Sequence, residues 1–173
     1  MKKFTVAVVV LSTLTLLLGG CSANKETEGL FYSLDDGAYV VTGYGGESKS
    51  IVIPNTKDGV IIDKIDYEAF QEKTITKVVL GENITWIDLY AFDGCTNLKD
   101  VTLSDNLDTI RGWAFKDCTA IKKIEIPESC WFIGYHAFEG WGEDQTIVIN
   151  GSTSGFENGW NENCNAKIII KGD

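Results

Sequence analysis

Histidine is almost absent from the sequence, which has a single one, His136, among 173 residues. His136 has no partner nucleophile in a recognisable motif, and the chain lacks a glycine-rich phosphate loop, a Gly-x-Ser-x-Gly elbow and a His-Glu-x-x-His helix motif. Acidic pairs such as Asp35-Asp36 and Glu143-Asp144 fall in polar, turn-like stretches, where they are weak indicators of glycoside hydrolysis. We therefore predict a protein without enzymatic activity, cofactor or bound metal.

Positive charge is scarce as well. The chain has 15 Lys and Arg against 25 Asp and Glu, a formal net charge of −10. Without the first 20 residues, which hold two lysines and no acids, the charge is −10 − 2 = −12. Nucleic-acid binding needs cations that neutralise phosphates, and electrostatic attachment to anionic lipid needs a basic patch. The composition excludes both modes of binding.

No apolar run reaches the roughly 20 residues that a membrane-spanning helix needs. The longest covers 15 residues, 4–18, and follows Lys2 and Lys3 as the core of a secretory signal peptide does. The tetrad Leu18-Gly19-Gly20-Cys21 resembles the bacterial lipobox, which implies cleavage before Cys21 and lipidation of its thiol. The alternative is an ordinary signal peptide with a chance cysteine. We predict a signal peptide over 1–20 and a polar tether over 21–29. Acyl chains would then hold the protein on a cell membrane, facing outside the cytoplasm.

The rest of the chain divides into a hairpin and a repeat. Two strand-like segments flank Asp35-Asp36-Gly37, which predicts a β-hairpin cap within residues 30–50. From Ile51 onward the pair Ala-Phe recurs at steps of 22, 23 and 23 residues. The phenylalanines of this pair are Phe70, Phe92, Phe115 and Phe138. An isoleucine lies five residues before each, at Ile65, Ile87, Ile110 and Ile133. A period of about 23 residues lies in the range of leucine-rich repeats.

Each repeat has one more pair of alternating apolar residues, which predicts a short strand. The pairs are Val78/Leu80, Val101/Leu103, Ile124/Ile126 and Ile147/Ile149. A single unit cannot bury its apolar set alone, but stacked units turn each position into a ladder within one continuous core. We predict parallel strands along one face at 78–80, 101–103, 124–126 and 147–149. The predicted fold is an α/β leucine-rich-repeat solenoid over 51–146, with loops or short helical turns opposite the strands and a C-terminal cap over 147–173.

These repeats are similar to the BspA-like leucine-rich repeats of bacterial surface proteins. The resemblance rests on Ile124-Glu125-Ile126-Pro127, on Ile133-Gly134, and on Ala-Phe-x-x-Cys followed by an apolar residue at Cys95 and Cys118. It covers residues 30–173 and implies a surface lipoprotein that mediates protein–protein interaction or adhesion. The fourth unit departs from the pattern, with Trp141 in place of the cysteine and Asp144 in place of leucine. That departure predicts the end of the regular stack.

Four cysteines follow Cys21. Cys95 and Cys118 occupy one ladder position in successive units, where parallel side chains suit a disulfide poorly. We predict that both are buried free thiols, and that Cys130, which replaces an aliphatic residue, is buried too. Cys164 has no predicted place.

Aromatic residues supply the candidate binding site. Two residues before each phenylalanine of the repeat stand Glu68, Tyr90, Trp113 and His136, which should line up on one side of the solenoid. Trp86 and Trp131 fall close in phase. We predict that Tyr90 and Trp113, then Trp86, Trp131 and His136, bind an unknown partner at the cell surface. A protein is the first expectation and a glycan stacking on exposed rings the alternative, while simple packing at the repeat edge is a third interpretation.

Overall fold

The computed structural model describes residues 26–171, so the predicted signal peptide, Cys21 and most of the tether lie outside it. Within this part all regular structure is β-strand, and no helix is present that could cross a membrane. The strands are β1 (Leu30–Asp35), β2 (Ala38–Tyr44), β3 (Ser50–Val52), β4 (Thr56–Lys57), β5 (Val60–Ile65), β6 (Lys77–Val79), β7 (Trp86–Ile87), β8 (Asp100–Thr102), β9 (Thr109–Ile110), β10 (Lys123–Ile126), β11 (Phe132–Ile133), β12 (Thr146–Ile149) and β13 (Lys167–Ile170). The predicted solenoid is confirmed. The α/β label is wrong in its helical part, because turns connect the strands.

The N-terminal hairpin is confirmed. Strands β1 and β2 pair antiparallel around Asp36-Gly37, whose φ angles are 45° and 88°. Positive φ at both central residues is the geometry of a type I′ turn, which Asp-Gly favours and which matches the twist of paired strands. Strand β2 then pairs parallel with β5, so the hairpin covers the first turn of the solenoid.

One side of the solenoid is an unbroken parallel sheet. Strands β5, β7, β9 and β11 each add one turn, with Ile65, Ile87, Ile110 and Ile133 in register. All four isoleucines are fully buried. The ladder predicted from the isoleucine five residues before each phenylalanine is therefore confirmed.

The strand face predicted from the alternating apolar pairs forms two sheets instead of one. Strands β3, β6 and β8 form the first, and β10, β12 and β13 form the second. The prediction is wrong at the junction of β8 with β10, where no backbone pairing occurs within the described residues. Val101, on β8, and Leu103, just after β8, are only half-buried, whereas Val78 and Ile124 are buried. The chain opens at this junction and exposes part of the apolar pair.

The third side carries the Ala-Phe ladder. Backbone N–H groups of Phe92 and Phe115 donate to the alanine carbonyls of the next turn, at 2.8 Å and 2.9 Å. The phenylalanine rings are buried and stack along the axis, with centroids 5.1 Å, 5.2 Å and 5.9 Å apart from Phe70 to Phe138. Small alanines beside the rings let successive turns approach closely enough for both contacts.

The cysteines of the repeat act as donors. Cys95 Sγ lies 2.9 Å from the carbonyl oxygen of Phe70, and Cys118 Sγ lies 3.1 Å from that of Phe92. Both are buried free thiols, as predicted, and Cys130 is buried and free too, while Cys164 is half-buried. Burial raises the pKa of Cys95 and of Cys130 to about 12, which keeps both protonated at neutral pH.

Trp141 takes over the role of the missing fourth cysteine. Its indole Nε1 donates to the carbonyl oxygen of Phe115 at 2.8 Å, so the same row of carbonyls receives a different donor. Close to Asp144, buried Gln145 donates to the carbonyls of Cys118 and Ile121. The parallel sheet continues past residue 146 through β12 and β13. The departure from the repeat pattern therefore changes the donors of this turn, while strand pairing continues.

Candidate functional site

Tyr90, Trp113 and His136 form one continuous stack, which we call the aromatic column. The ring centroids of Tyr90 and Trp113 are 4.9 Å apart and those of Trp113 and His136 are 5.6 Å apart, with 6° between planes in each case. The three residues occupy the same position in successive turns, so a period of 23 residues is enough to bring them together. This alignment is the one that the sequence predicts.

The backbone beneath the column is unusual. Tyr90, Trp113 and His136 have φ angles of 57°, 54° and 56°, in the left-handed region that bulky residues rarely adopt. Such a conformation costs on the order of 1–3 kcal/mol per residue and persists only where the surroundings enforce it. Their N–H groups donate to carbonyls of the next turn, as in the bond from His136 to Gly159 at 2.9 Å. The side chains are thereby held in a fixed row.

Two tyrosines extend the column into a wider surface, which we call the aromatic patch. Tyr67 packs edge-on against Tyr90 with centroids 6.1 Å apart, and Tyr135 packs edge-on against Trp113 at 4.3 Å. Their exposed fractions are 52% and 37%, while the column itself is half-buried. Since the column rings cover one another's faces, the patch offers ring edges and two protruding phenols. Partial desolvation raises the pKa of Tyr90, so its hydroxyl stays a neutral donor and acceptor.

The end of the column formed by His136 is polar. His136 Nδ1 lies 2.9 Å from Glu139 Oε2, and His136 Nε2 lies 3.8 Å from Glu162 Oε2. Lys116 Nζ lies 3.8 Å from the other oxygen of Glu139. These groups give an apolar surface a charged rim, which is the usual composition of a protein interface.

Trp86 does not belong to the column. It lies on β7, in register with Lys64 on one side and Thr109 on the other. The Lys64 ammonium lies 5.9 Å from the centroid of its ring, and the Arg111 guanidinium lies 5.6 Å from it. Lys64 in turn contacts Asp88 at 2.7 Å. Burial favours the neutral acid, but the Lys64 ammonium and the backbone N–H of Leu89 outweigh it and hold the pKa of Asp88 below its ordinary value.

Trp131 stands apart as a strongly exposed ring. Its exposed fraction is 61%, and its ring packs edge-on against Phe132 with centroids 5.7 Å apart. It lies beside Gly155, where a Cβ atom would come within 2.2 Å of the Trp131 carbonyl oxygen. No ring contact joins Trp131 to the column among the described residues. The predicted set of five residues therefore divides into one row of three and two separate tryptophans.

The predicted set of five residues contains neither Tyr135 nor its counterpart Tyr67. Tyr67 precedes Glu68 just as Tyr135 precedes His136, so the two tyrosines share one repeat position. The residues between them at that position are Leu89 and Gly112, which hide the pattern.

Within residues 26–171, no group of three His, Cys, Asp or Glu side chains is arranged to hold a metal ion.

The stacked strands, the buried isoleucine and phenylalanine ladders and the cysteine donors define a leucine-rich-repeat solenoid. The family model described as "BspA type Leucine rich repeat region" matches residues 46–171 in six copies. The chain belongs to this family. No functionally curated protein matches it significantly.

Solved structures of bacterial leucine-rich repeat proteins share the fold. A T. pallidum leucine-rich repeat protein is 27% identical with a TM-score of 0.70 over 83% of this chain and 64% of that one. A leucine-rich cell surface protein of Faecalibacterium prausnitzii is 24% identical with a TM-score of 0.70, over 85% of this chain and 39% of its own. The pneumococcal vaccine antigen PcpA is 19% identical with a TM-score of 0.61, over 82% of this chain and 37% of that one. The chain thus spans less than two thirds of each of these proteins.

Proposed function

We propose that this chain is a non-enzymatic, lipid-anchored surface protein whose aromatic patch binds another protein. Leucine-rich repeat proteins generally serve as interaction scaffolds, and one of the similar structures is named a leucine-rich cell surface protein. The observation that supports the site best is the column itself. Three aromatic side chains are held in a row on strained backbone, and two exposed tyrosines widen that row.

The shape of the patch favours a protein over a glycan as the partner. A sugar ring stacks on the flat face of an aromatic side chain, but stacking in the column covers both faces of Trp113 and one face each of Tyr90 and His136. Protein interfaces use Tyr and Trp edges and hydroxyls as readily as faces, within a broad apolar centre and a polar rim. The glycan alternative rests on Trp131, the large exposed ring outside the patch.

Trp113→Gly should weaken binding of a surface protein partner at least about tenfold, equivalent to about 1.4 kcal/mol. Glycine removes the central ring but tolerates the left-handed backbone at φ 54°, so the loss of stacking is offset by relief of strain. The partner is captured from intact cells on immobilised protein, and its affinity for each variant is then measured together with the thermal midpoint.

Trp131→Ala is the matched control, because it removes an exposed tryptophan that lies outside the patch. Undiminished binding by Trp113→Gly together with loss of binding by Trp131→Ala would contradict the proposed site and would support the glycan alternative. Undiminished binding by both variants would show that the rings serve packing alone.

Attachment to the membrane forms the second part of the proposal and depends on Cys21. Native protein should partition into detergent and begin at a modified Cys21, whereas Cys21→Ser should shift it to the soluble fraction, since its acyl chains are the proposed anchor. Phase separation followed by mass spectrometry of the N-terminal peptide measures both properties. Recovery of the unmodified wild-type chain from the medium would overturn the lipid anchor and leave the binding proposal standing.

A further inference from the structure

The junction between β8 and β10 is open, although every other junction on the strand face is closed. Leu80 N donates to Thr102 O at 3.0 Å between β6 and β8, and Thr146 N donates to Lys122 O at 2.9 Å between β10 and β12. Leu103 N occupies the position of Leu80 one turn later, but it donates to no backbone carbonyl of the described residues. One edge of β8 therefore carries unpaired backbone groups.

A cleft separates β8 from β10 at this junction. A cavity of about 400 Å³ lies between the two strands, lined by Thr102 and Leu103 on one side and Lys123 and Glu125 on the other. A second cavity of about 720 Å³ adjoins it and is lined by Thr102, Leu103 and Asp105 as well. The two spaces share these three lining residues, and we call them together the groove.

The side chains along the groove leave the backbone of β8 accessible. Thr102 is small and exposed, and Leu103 offers a half-buried apolar surface. An accessible strand edge is a template for pairing with another chain, and proteins that leave it uncovered use it to bind extended peptides. In such binding, main-chain hydrogen bonds provide affinity and the flanking side chains provide selectivity.

Most of the charged side chains that flank the groove are acidic. Glu82 and Asp105 line the larger cavity and Glu125 lines the smaller one, and all three are exposed. The one basic residue among the linings, Lys123, pairs with Glu125. An extended segment with spaced lysine or arginine side chains would complement this charge, whereas an acidic segment would be repelled.

We propose that the groove binds an extended basic segment of a partner protein, which adds as a strand to the open edge of β8. The proposal is independent of the aromatic patch, with which the groove shares no residue. Specificity would come from the alternation of basic side chains with small apolar ones. The basic side chains would face Glu82 and Asp105, and the apolar ones would contact Leu103.

Amide hydrogen exchange followed by NMR tests the proposal with a blocked peptide of alternating lysine and valine. In the free protein, the Leu103 amide should exchange at least about tenfold faster than that of Leu80, its paired equivalent. Saturating peptide should slow Leu103 at least about tenfold and leave Leu80 unchanged. The same peptide N-methylated at every residue keeps its charge but has no backbone N–H donor, and its methyl groups obstruct strand pairing along both edges, so it should give no protection.

Slow exchange of the Leu103 amide in the free protein would show that β8 and β10 pair in solution, and it would overturn the proposal. Absence of binding by the lysine-valine peptide, or equal protection by its N-methylated form, would do the same. A glutamate-valine peptide that protects Leu103 equally would refute the charge selectivity.

Charge variants locate the peptide in the groove. Glu82→Gln combined with Asp105→Asn should lower the affinity for the lysine-valine peptide roughly three- to tenfold, since each exposed charge contributes a modest attraction. Glu47→Gln combined with Glu143→Gln changes the net charge equally at exposed positions outside the groove. This control pair should bind as the unaltered protein does. Equal weakening by both pairs would mean that the overall charge, and not the groove, attracts the peptide.

Discussion

We expect Phe115→Ala to lower the free energy of unfolding by about 3–5 kcal/mol, the usual loss for a fully buried aromatic side chain. Phe115 is inaccessible to solvent and stacks between Phe92 and Phe138, with centroids 5.2 Å and 5.9 Å away. Truncation therefore removes contacts on both sides and leaves a cavity on the solenoid axis. Each repeat depends on its two neighbours, so the loss extends to both adjoining turns. Denaturant titration followed by circular dichroism measures it.

Phe31→Ala is a suitable control, because the Phe31 side chain is 56% exposed and lies on the hairpin rather than in the ladder. It should cost less than about 1 kcal/mol, in keeping with an exposed position. A loss below about 1 kcal/mol at Phe115 as well would show that the Ala-Phe ladder is not the core of the solenoid.

Trp141→Ala should cost a similar amount, about 3–5 kcal/mol, although the family pattern has a small cysteine there. The indole is 1% exposed, packs edge-on against Phe138 and donates to the carbonyl oxygen of Phe115. Two further substitutions separate these roles. Trp141→Phe keeps most of the volume and should cost about 1 kcal/mol for the lost hydrogen bond. Trp141→Cys restores the thiol donor but leaves the cavity, so it should cost nearly as much as alanine.

The order of the three variants is the informative result, and denaturation midpoints establish it. A Trp141→Cys protein as stable as the unaltered chain would mean that the turn closes around the smaller side chain. A Trp141→Phe protein as unstable as Trp141→Ala would mean that the hydrogen bond to Phe115 outweighs packing.

The repeat period carries most of the information about the fold that the sequence contains. Apolar residues that recur in one phase can be buried only if the turns stack, so Ile65, Ile87 and Phe92 were placed correctly without any structure. The open junction could not be predicted in this way. Val78, Val101 and Ile124 are spaced by 23 residues at each step. An identical spacing does not distinguish a closed pair of strands from an open one.

The candidate site was predicted in part, for a related reason. Tyr90, Trp113 and His136 share one repeat position and therefore form one row. Trp86 lies on β7 and Trp131 directly precedes β11, so both belong to other rows despite their nearness in sequence. The left-handed backbone beneath the column left no clear signal, because Glu, Tyr and Trp stand at that position in three of the four turns and do not favour positive φ.

The row of sulfur and nitrogen donors along the phenylalanine carbonyls also bears on how such a chain matures. Cys95 and Cys118 hold adjacent turns together as protonated thiols, and Trp141 does the same without sulfur. Since these contacts need no oxidation, they can form in a reducing compartment as well as in an oxidising one. Reducing agents leave every one of these contacts intact, so an environment poor in oxygen is no obstacle to the folded protein.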